Sequence, residues 1–93
     1  MERRRYRVYG RVQGVGFRAF VWREAQHLDV AGWVRNRFDG TVEVLADAAA
    51  AEHERLALIL ERGPRMSRVD RVESASERAE EQPMSGFTVA GDV

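Results

Sequence analysis

The segment VYGRVQGVGFR, residues 8–18, decides the fold of this chain, because a strand, a glycine loop and a helix meet within it. Polar and apolar residues alternate from Arg4 to Val12, which predicts a half-buried strand. The two glycines at positions 14 and 16 then indicate a tight loop. From Phe17 to about Asp29 the apolar residues recur at helical spacing, so we expect a helix directly after the loop.

The rest of the chain predicts four more strands and one more helix. They are a strand over 32–37, a hairpin at Asp39-Gly40, a strand from Val42, a helix over 48–62 ending at Gly63-Pro64, a strand over 67–78, a turn over 82–86 and a short strand at Phe87–Val89. The order is βαββαβ with a short extra C-terminal strand. This order predicts an α+β fold in which two helices pack on one face of a mainly antiparallel sheet.

The fourth predicted strand has an irregular apolar pattern. Val69 and Val72 lie an odd number of residues apart, so a regular strand cannot place both on one face. We therefore expect either a bulge near Val69 or a strand that starts only after it.

The composition limits the classes of protein that this chain can belong to. A length of 93 residues predicts one domain over 1–93, and the absence of cysteine excludes disulfides, thiol nucleophiles and thiolate metal sites. The basic N-terminus is followed by no apolar stretch, so it does not resemble a secretory signal. No segment approaches the roughly 20 apolar residues that a membrane span needs. We expect a soluble, cytoplasmic protein.

The charges are balanced overall but unevenly distributed. The chain has 15 basic and 15 acidic residues, which argues against a general binder of nucleic acids or other polyanions. Residues 1–45 hold nine Arg against five acids, whereas residues 46–93 hold six Arg against ten acids. An anion site is therefore expected in the first half.

The loop between the first strand and the first helix is the strongest candidate for that site. Backbone N–H groups of Gln13 to Phe17 and the helix N-terminus converge there, and both favour an anion. Glycines let the backbone curl closely around a phosphate, and Arg18 can offer it a bidentate fork. Without further information, an ordinary strand-to-helix turn with a surface arginine remains open.

The second candidate is Asn36, at the end of the predicted second strand. Polar residues are common at strand ends, so a simple turn role remains open. Its amide can also hold a water molecule, provided that the side chain faces the glycine loop.

The two segments together resemble the acylphosphatase family. Residues 8–18 match the first acylphosphatase signature at every defined position, and Gly32-Trp33-Val34-Arg35-Asn36 with Gly40 and Val42 resembles the second. The resemblance continues through Gly63-Pro64, Arg68-Val69 and Phe87. Two departures concern the turn geometry and the C-terminus: Ala48 stands where the second signature ends in glycine, and residues 90–93 read Ala-Gly-Asp-Val instead of a more basic or aromatic ending.

This resemblance implies a ferredoxin-like α/β sandwich that hydrolyses the carboxyl–phosphate bond. It assigns phosphate binding to Arg18 and the loop amides of Gly14, Val15, Gly16 and Phe17, and orientation of the attacking water to Asn36. A carboxylate departs without being protonated, so the reaction requires no general acid. The chemistry instead calls for positioned donors around the phosphoryl oxygens, and we expect no cofactor or metal.

The expected partners are small molecules. They are an acyl phosphate as substrate and inorganic phosphate as product or inhibitor, bound by a monomer that binds no nucleic acid and no membrane. The alternative is a non-catalytic module of the same fold that binds phosphate or carbamoyl phosphate, because similar domains occur in larger carbamoyl-transfer proteins of hydrogenase maturation. The chain resembles the free-standing form, which favours the hydrolase.

The remaining candidates receive structural roles. We expect His27 and His53 to be solvated and Trp22 and Trp33 to pack in or near the core, and the carboxylates show no metal-ligand spacing. Residues 16–22 superficially resemble an RNA-recognition strand, but their helical spacing argues against that interpretation.

Overall fold

The computed structural model describes residues 1–79, 82 and 84–93, and within them it contains five strands and two helices. In chain order these are β1 (Glu2–Arg11), α1 (Phe17–Gln26), β2 (Ala31–Asn36), β3 (Val42–Ala48), α2 (Ala50–Arg62), β4 (Arg68–Glu77) and β5 (Phe87–Val89). The predicted element order is confirmed. The predicted turn over 82–86 includes Pro83, which lies outside the described residues.

The element bounds differ from the predicted ones mainly at the helices. Helix α1 ends at Gln26, three residues before Asp29, because the chain turns at His27, whose N–H bonds Glu24 O at 3.0 Å. Helix α2 begins at Ala50 because Ala48 is still part of β3 and is fully buried there. No described residue other than glycine has a positive φ, so Ala48 ends its strand without the backbone conformation that favours glycine.

The five strands form one sheet in the order β4-β1-β3-β2-β5. Strands β2 and β5 are parallel, and the other neighbouring pairs are antiparallel. Both helices contribute to a single apolar core with alternate positions of the strands, which confirms the predicted ferredoxin-like arrangement of two helices on one sheet face. The core includes Tyr6, Val8, Phe17, Val21, Ala25, Val34, Val42, Val44, Ala46, Leu56, Leu60 and Phe87.

A bulge in β4 resolves its irregular apolar pattern. Tyr9 pairs with Arg71 and Gly10 pairs with Val69, so Asp70 has no opposite residue in β1. The extra residue places Val69 and Val72 on the same side, and both pack against the core. The backbones approach closely at this point, since a Cβ on Gly10 would lie 2.1 Å from Arg68 O. Of the two alternatives that the sequence left open, the structure therefore shows the bulge.

The sheet face opposite the helices carries a buried carboxylate among arginines. Glu43 is 1 % exposed, and it accepts hydrogen bonds from Arg5 Nη1 at 2.6 Å, Arg35 Nε at 2.7 Å and Arg37 Nη1 at 3.2 Å. Burial alone would raise the pKa of this carboxyl, but the hydrogen bonds from Arg5 and Arg35 outweigh it and lower the pKa to about 2. The ionised carboxylate thus holds three strands together.

We expect this carboxylate to make the fold sensitive to acid. The pKa of Glu43 is lower in the folded state than in the unfolded chain. The ionised carboxylate therefore stabilises the fold fully above its ordinary pKa, and this stabilisation is lost as the pH falls towards about 2. A shift of this size corresponds to about 3 kcal/mol. The free energy of unfolding, measured by urea denaturation between pH 6 and pH 2, should fall steeply with decreasing pH in the native chain and less steeply in Glu43→Gln. The exposed Glu61→Gln on α2 is the control, and equal slopes for native chain and Glu43→Gln would contradict the prediction.

His53 differs from its predicted surface position. It is 2 % exposed, its Nδ1 lies 2.6 Å from Tyr6 Oη, and its Nε2 lies 2.8 Å from Glu2 O. A carbonyl can only accept, so Nε2 carries the proton and Nδ1 accepts from the tyrosine hydroxyl. The face of α2 that meets β1 includes positions 53, 56 and 60, and partners on both ring nitrogens remove most of the cost of burial.

The other ring side chains largely follow expectation. His27 is exposed as predicted. Trp33 is half-buried under the Arg35 guanidinium, which lies 4.3 Å from the ring centroid, so its packing role is confirmed. Trp22 is 42 % exposed, more than predicted, although its indole N–H donates to Phe87 O at 3.1 Å. Residues 17–22 lie in α1, which confirms the helical interpretation over an RNA-recognition strand.

Candidate active site

The glycine loop joins β1 to α1 and opens the helix N-terminus to a ligand. Gly14 has φ of 73° and Gly16 has φ of 78°, a region in which residues with side chains are strained. Phe20 N–H makes the first helical hydrogen bond, to Gly16 O at 3.0 Å. The N–H groups of 17–19 precede this bond, so they have no carbonyl partner within the helix, and no side chain of the described residues caps them; they are therefore available to an anion.

Gln13 ties this loop to the hairpin that follows β2. Its Nε2 donates to Arg37 O at 2.7 Å and to Thr41 O at 2.9 Å. Asp39 supports the same hairpin, because its Oδ1 accepts from Thr41 N at 3.0 Å and Thr41 Oγ1 at 2.6 Å, and these hydrogen bonds lower the pKa of the Asp39 carboxyl. The loop and the end of β2 are therefore held side by side.

This arrangement creates an open pocket of about 330 Å³ between the loop, α1 and the end of β2. It brings Arg18 and Asn36 together with the loop. The lining residues are Val12, Gly14, Gly16, Phe17, Arg18, Ala19, Asn36 and Val89. Val15 was predicted in the site through its backbone N–H, and its side chain packs against the core.

Asn36 meets the condition that the sequence left open. It lies on the buried face of β2 with Gly32 and Val34, is 8 % exposed, and lines the same pocket as the loop. Its Oδ1 is buried and makes no hydrogen bond with any residue that the structure describes. A buried acceptor without a partner is costly, and a water molecule bound in the pocket would satisfy it.

Arg18 lies in the first turn of α1 with its side chain 39 % exposed. Its Nη1 donates to Asp92 Oδ1 at 3.1 Å, a contact across 74 residues of sequence. No sequence pattern indicated this partner, since an aspartate at the penultimate position of the chain has no local periodicity. Gln13 was likewise missed as a supporting residue, although its place inside the loop segment was a usable signal.

The C-terminal tail runs along β2 beside the site. Ala90 N–H bonds Val34 O at 2.8 Å, Val93 N–H bonds Asn36 O at 3.1 Å, and Phe38 N–H bonds Val93 O at 2.6 Å. Residues 90–93 therefore continue along β2 beyond β5. This path places Asp92 beside Arg18.

The chemistry that this pocket can support follows from its donor set. It offers a guanidinium, free backbone N–H groups and an amide oxygen, and the described residues of its lining include no histidine or carboxylate. Among the described residues, no three histidine, aspartate or glutamate side chains are grouped to hold a metal, and no helix is long and apolar enough to cross a membrane. The arrangement can bind a tetrahedral anion and orient a water molecule against it.

Known proteins are similar to this chain in sequence and in fold. A family profile described as Acylphosphatase matches residues 4–89. The acylphosphatase of Koribacter versatilis (strain Ellin345) is 52 % identical over 90 residues, which cover 97 % of this chain and 81 % of that protein.

Solved structures agree with this relationship. The acylphosphatase from Bacillus subtilis superposes with a TM-score of 0.91 at 38 % identity, covering 97 % of this chain and 99 % of that chain. HypF of T. kodakarensis superposes with a TM-score of 0.85 at 27 % identity, and the match covers all of this chain but 12 % of that one. With a profile match over most of its length and relatives near half identity, the chain belongs to the acylphosphatase family.

Proposed function

We propose that Arg18 and the loop amides hold the phosphate of an acyl phosphate while Asn36 orients the water that attacks it. As a member of its family, the chain hydrolyses acyl phosphates to a carboxylate and inorganic phosphate. The observation that carries the assignment of residues is the buried, unpaired Oδ1 of Asn36 in the same pocket as Arg18 and the loop.

The phosphoryl group binds where the donors converge. Its oxygens accept hydrogen bonds from the Arg18 guanidinium and from N–H groups of the loop and the first turn of α1. Charge on the transferring phosphoryl group stays on its equatorial oxygens, so donors fixed before the reaction stabilise the transition state without rearranging. The glycines permit this close approach because no side chain intervenes.

The water is bound through Asn36. Its Oδ1 accepts a hydrogen bond from the water and aims the oxygen lone pair at phosphorus. The new P–O bond forms as the bond between phosphorus and the acyl oxygen breaks, and the carboxylate leaves with the electron pair. The proton of the water passes to a phosphoryl oxygen, so the step needs no protein base. Inorganic phosphate remains as the second product.

A direct test is hydrolysis of benzoyl phosphate by the purified chain with excess chelator present. We expect rapid turnover that added metal does not increase, because the proposed step uses only a guanidinium, amides and one side-chain oxygen. Release of benzoate is followed by ultraviolet absorbance. Inorganic phosphate should inhibit competitively, since it occupies the same cradle as the substrate phosphate.

The alternative is a module that binds phosphate or carbamoyl phosphate without turning it over. The likeness to HypF supports it, since the whole chain superposes on part of that longer protein. A folded chain that binds inorganic phosphate but releases no benzoate would favour this alternative and remove the role of Asn36. We also propose a cytoplasmic location and a monomeric state. Size-exclusion chromatography with light scattering tests the monomeric state.

A further inference from the structure

The C-terminal tail places the carboxylate of Asp92 against Arg18, which lines the pocket. We propose that Asp92 makes the site select acyl phosphates whose acyl group carries no negative charge. This inference rests on the proposed function, because it concerns the part of the substrate beyond the phosphate that Arg18 holds.

The position of Asp92 is set by the backbone on both sides of it. The hydrogen bonds of Ala90 to Val34 and of Val93 to Asn36 fix the tail along β2. Between these two points Asp92 reaches Arg18, with Oδ1 3.1 Å from Nη1. Only the Arg18 guanidinium therefore separates the Asp92 carboxylate from any anion that Arg18 binds.

The rest of the pocket lining is largely apolar. Beyond the phosphate donors and the Asn36 amide, it consists of Val12, Ala19 and Val89, and Arg18 is the only charged residue among the described residues of the lining. Val89 is 47 % exposed at the end of β5, so it is open to contact with a substrate. An uncharged acyl group packs against apolar carbon here. An anionic acyl group loses water to the same apolar carbon and is also repelled by the Asp92 carboxylate.

The expected discrimination is modest because the Arg18–Asp92 pair is open to solvent. The two side chains are 39 % and 48 % exposed, so water weakens the repulsion between Asp92 and a second charge on the substrate. Repulsion between Asp92 and the phosphate itself is common to all acyl phosphates and cancels when two of them are compared. A second charge on the acyl group adds repulsion worth roughly threefold to tenfold in kcat/KM.

The test compares benzoyl phosphate with 4-carboxybenzoyl phosphate, which differ by one carboxylate on the same ring. The native chain should prefer benzoyl phosphate. In Asp92→Asn, kcat/KM should rise for both substrates, but more for 4-carboxybenzoyl phosphate, so that the preference shrinks by roughly threefold or more. Comparing ratios between variants cancels the difference in leaving-group chemistry. High salt should narrow the native preference as well, because it screens exposed charges.

Asp70→Asn is the matched control. Asp70 forms a similar exposed pair with Arg68 at 3.0 Å, away from the pocket, so its removal should leave the preference unchanged. An unchanged preference in Asp92→Asn would overturn the inference, as would an equal fall in turnover of both substrates, which would make Asp92 a positioning residue for Arg18. If the folded native chain hydrolyses neither compound, the proposed function itself fails, and this outcome is distinct from an unchanged preference.

Discussion

Replacement of Arg18 by alanine should abolish phosphate binding and turnover together. We expect kcat/KM for benzoyl phosphate to fall by about 10³-fold or more, because the variant loses the guanidinium that we propose binds the phosphoryl oxygens, and no other arginine among the described residues lines the pocket. The loop amides remain, but they carry partial charges only. Inorganic phosphate should correspondingly cease to compete with any residual turnover.

The fold should survive this change. Arg18 is 39 % exposed, and its pair with Asp92 lies at the surface, where such pairs contribute about 0–1 kcal/mol. Arg23→Ala, also exposed on α1 but absent from the pocket lining, is the matched control and should keep full activity. Arg18→Lys should recover only part of the loss, because an ammonium keeps the charge without the planar fork. Competition by inorganic phosphate that persists in folded Arg18→Ala would exclude the proposed role.

Much of the fold follows from local patterns of this sequence. The alternation in β1, the two glycines and the helical spacing after Phe17 are short-range signals, and they predict the strand, loop and helix where these occur. Even the β4 bulge was predictable, since the odd spacing of Val69 and Val72 is incompatible with a regular strand that buries both. The helix ends were less accurate, because capping at His27 depends on a few local hydrogen bonds.

Contacts between distant segments were not predictable from those patterns. His53 appears as a polar residue among charged neighbours, yet it is buried because Tyr6, 47 residues away, and the backbone of β1 satisfy both ring nitrogens. The same limit applies to Glu43, which alternation would place on a solvated face. Only the assembled sheet brings Arg5, Arg35 and Arg37 around it. The cost of burying a polar group depends on its partners, and distant partners are fixed only by the fold.

The candidate site was predictable in part for the same reason. The loop and Arg18 are contiguous, so their proximity follows from the chain itself. Asn36 was a candidate only if β2 turned its side chain towards the loop, and that orientation depends on register within the sheet. The structure provides the orientation and adds Gln13, which bridges the loop to the hairpin carbonyls, and Asp92, which approaches from the far end of the chain.

Asn36→Ala should separate catalysis from binding. We expect kcat to fall by about 10²-fold or more, because removal of one preorganised polar group from a transition state costs this much. The inhibition constant of inorganic phosphate should change by less than about threefold, since the variant keeps Arg18 and the loop amides, which we propose bind the phosphate. Stopped-flow assays with benzoyl phosphate give kcat, and competition by phosphate gives the inhibition constant.

The reason for this split lies in the geometry of Asn36. Its Oδ1 has no partner among the described residues, so truncation to alanine breaks no hydrogen bond within them and should leave the fold intact. Gln26→Ala, which removes an amide from the exposed side of α1, is the control for loss of an amide as such. In Asn36→Asp an acceptor remains but a negative charge is added beside the phosphate, so kcat should stay low while phosphate affinity also falls.

A large rise in the phosphate inhibition constant of Asn36→Ala, with kcat nearly native, would instead make Asn36 a phosphate ligand. The attacking water would then have to be held by the loop.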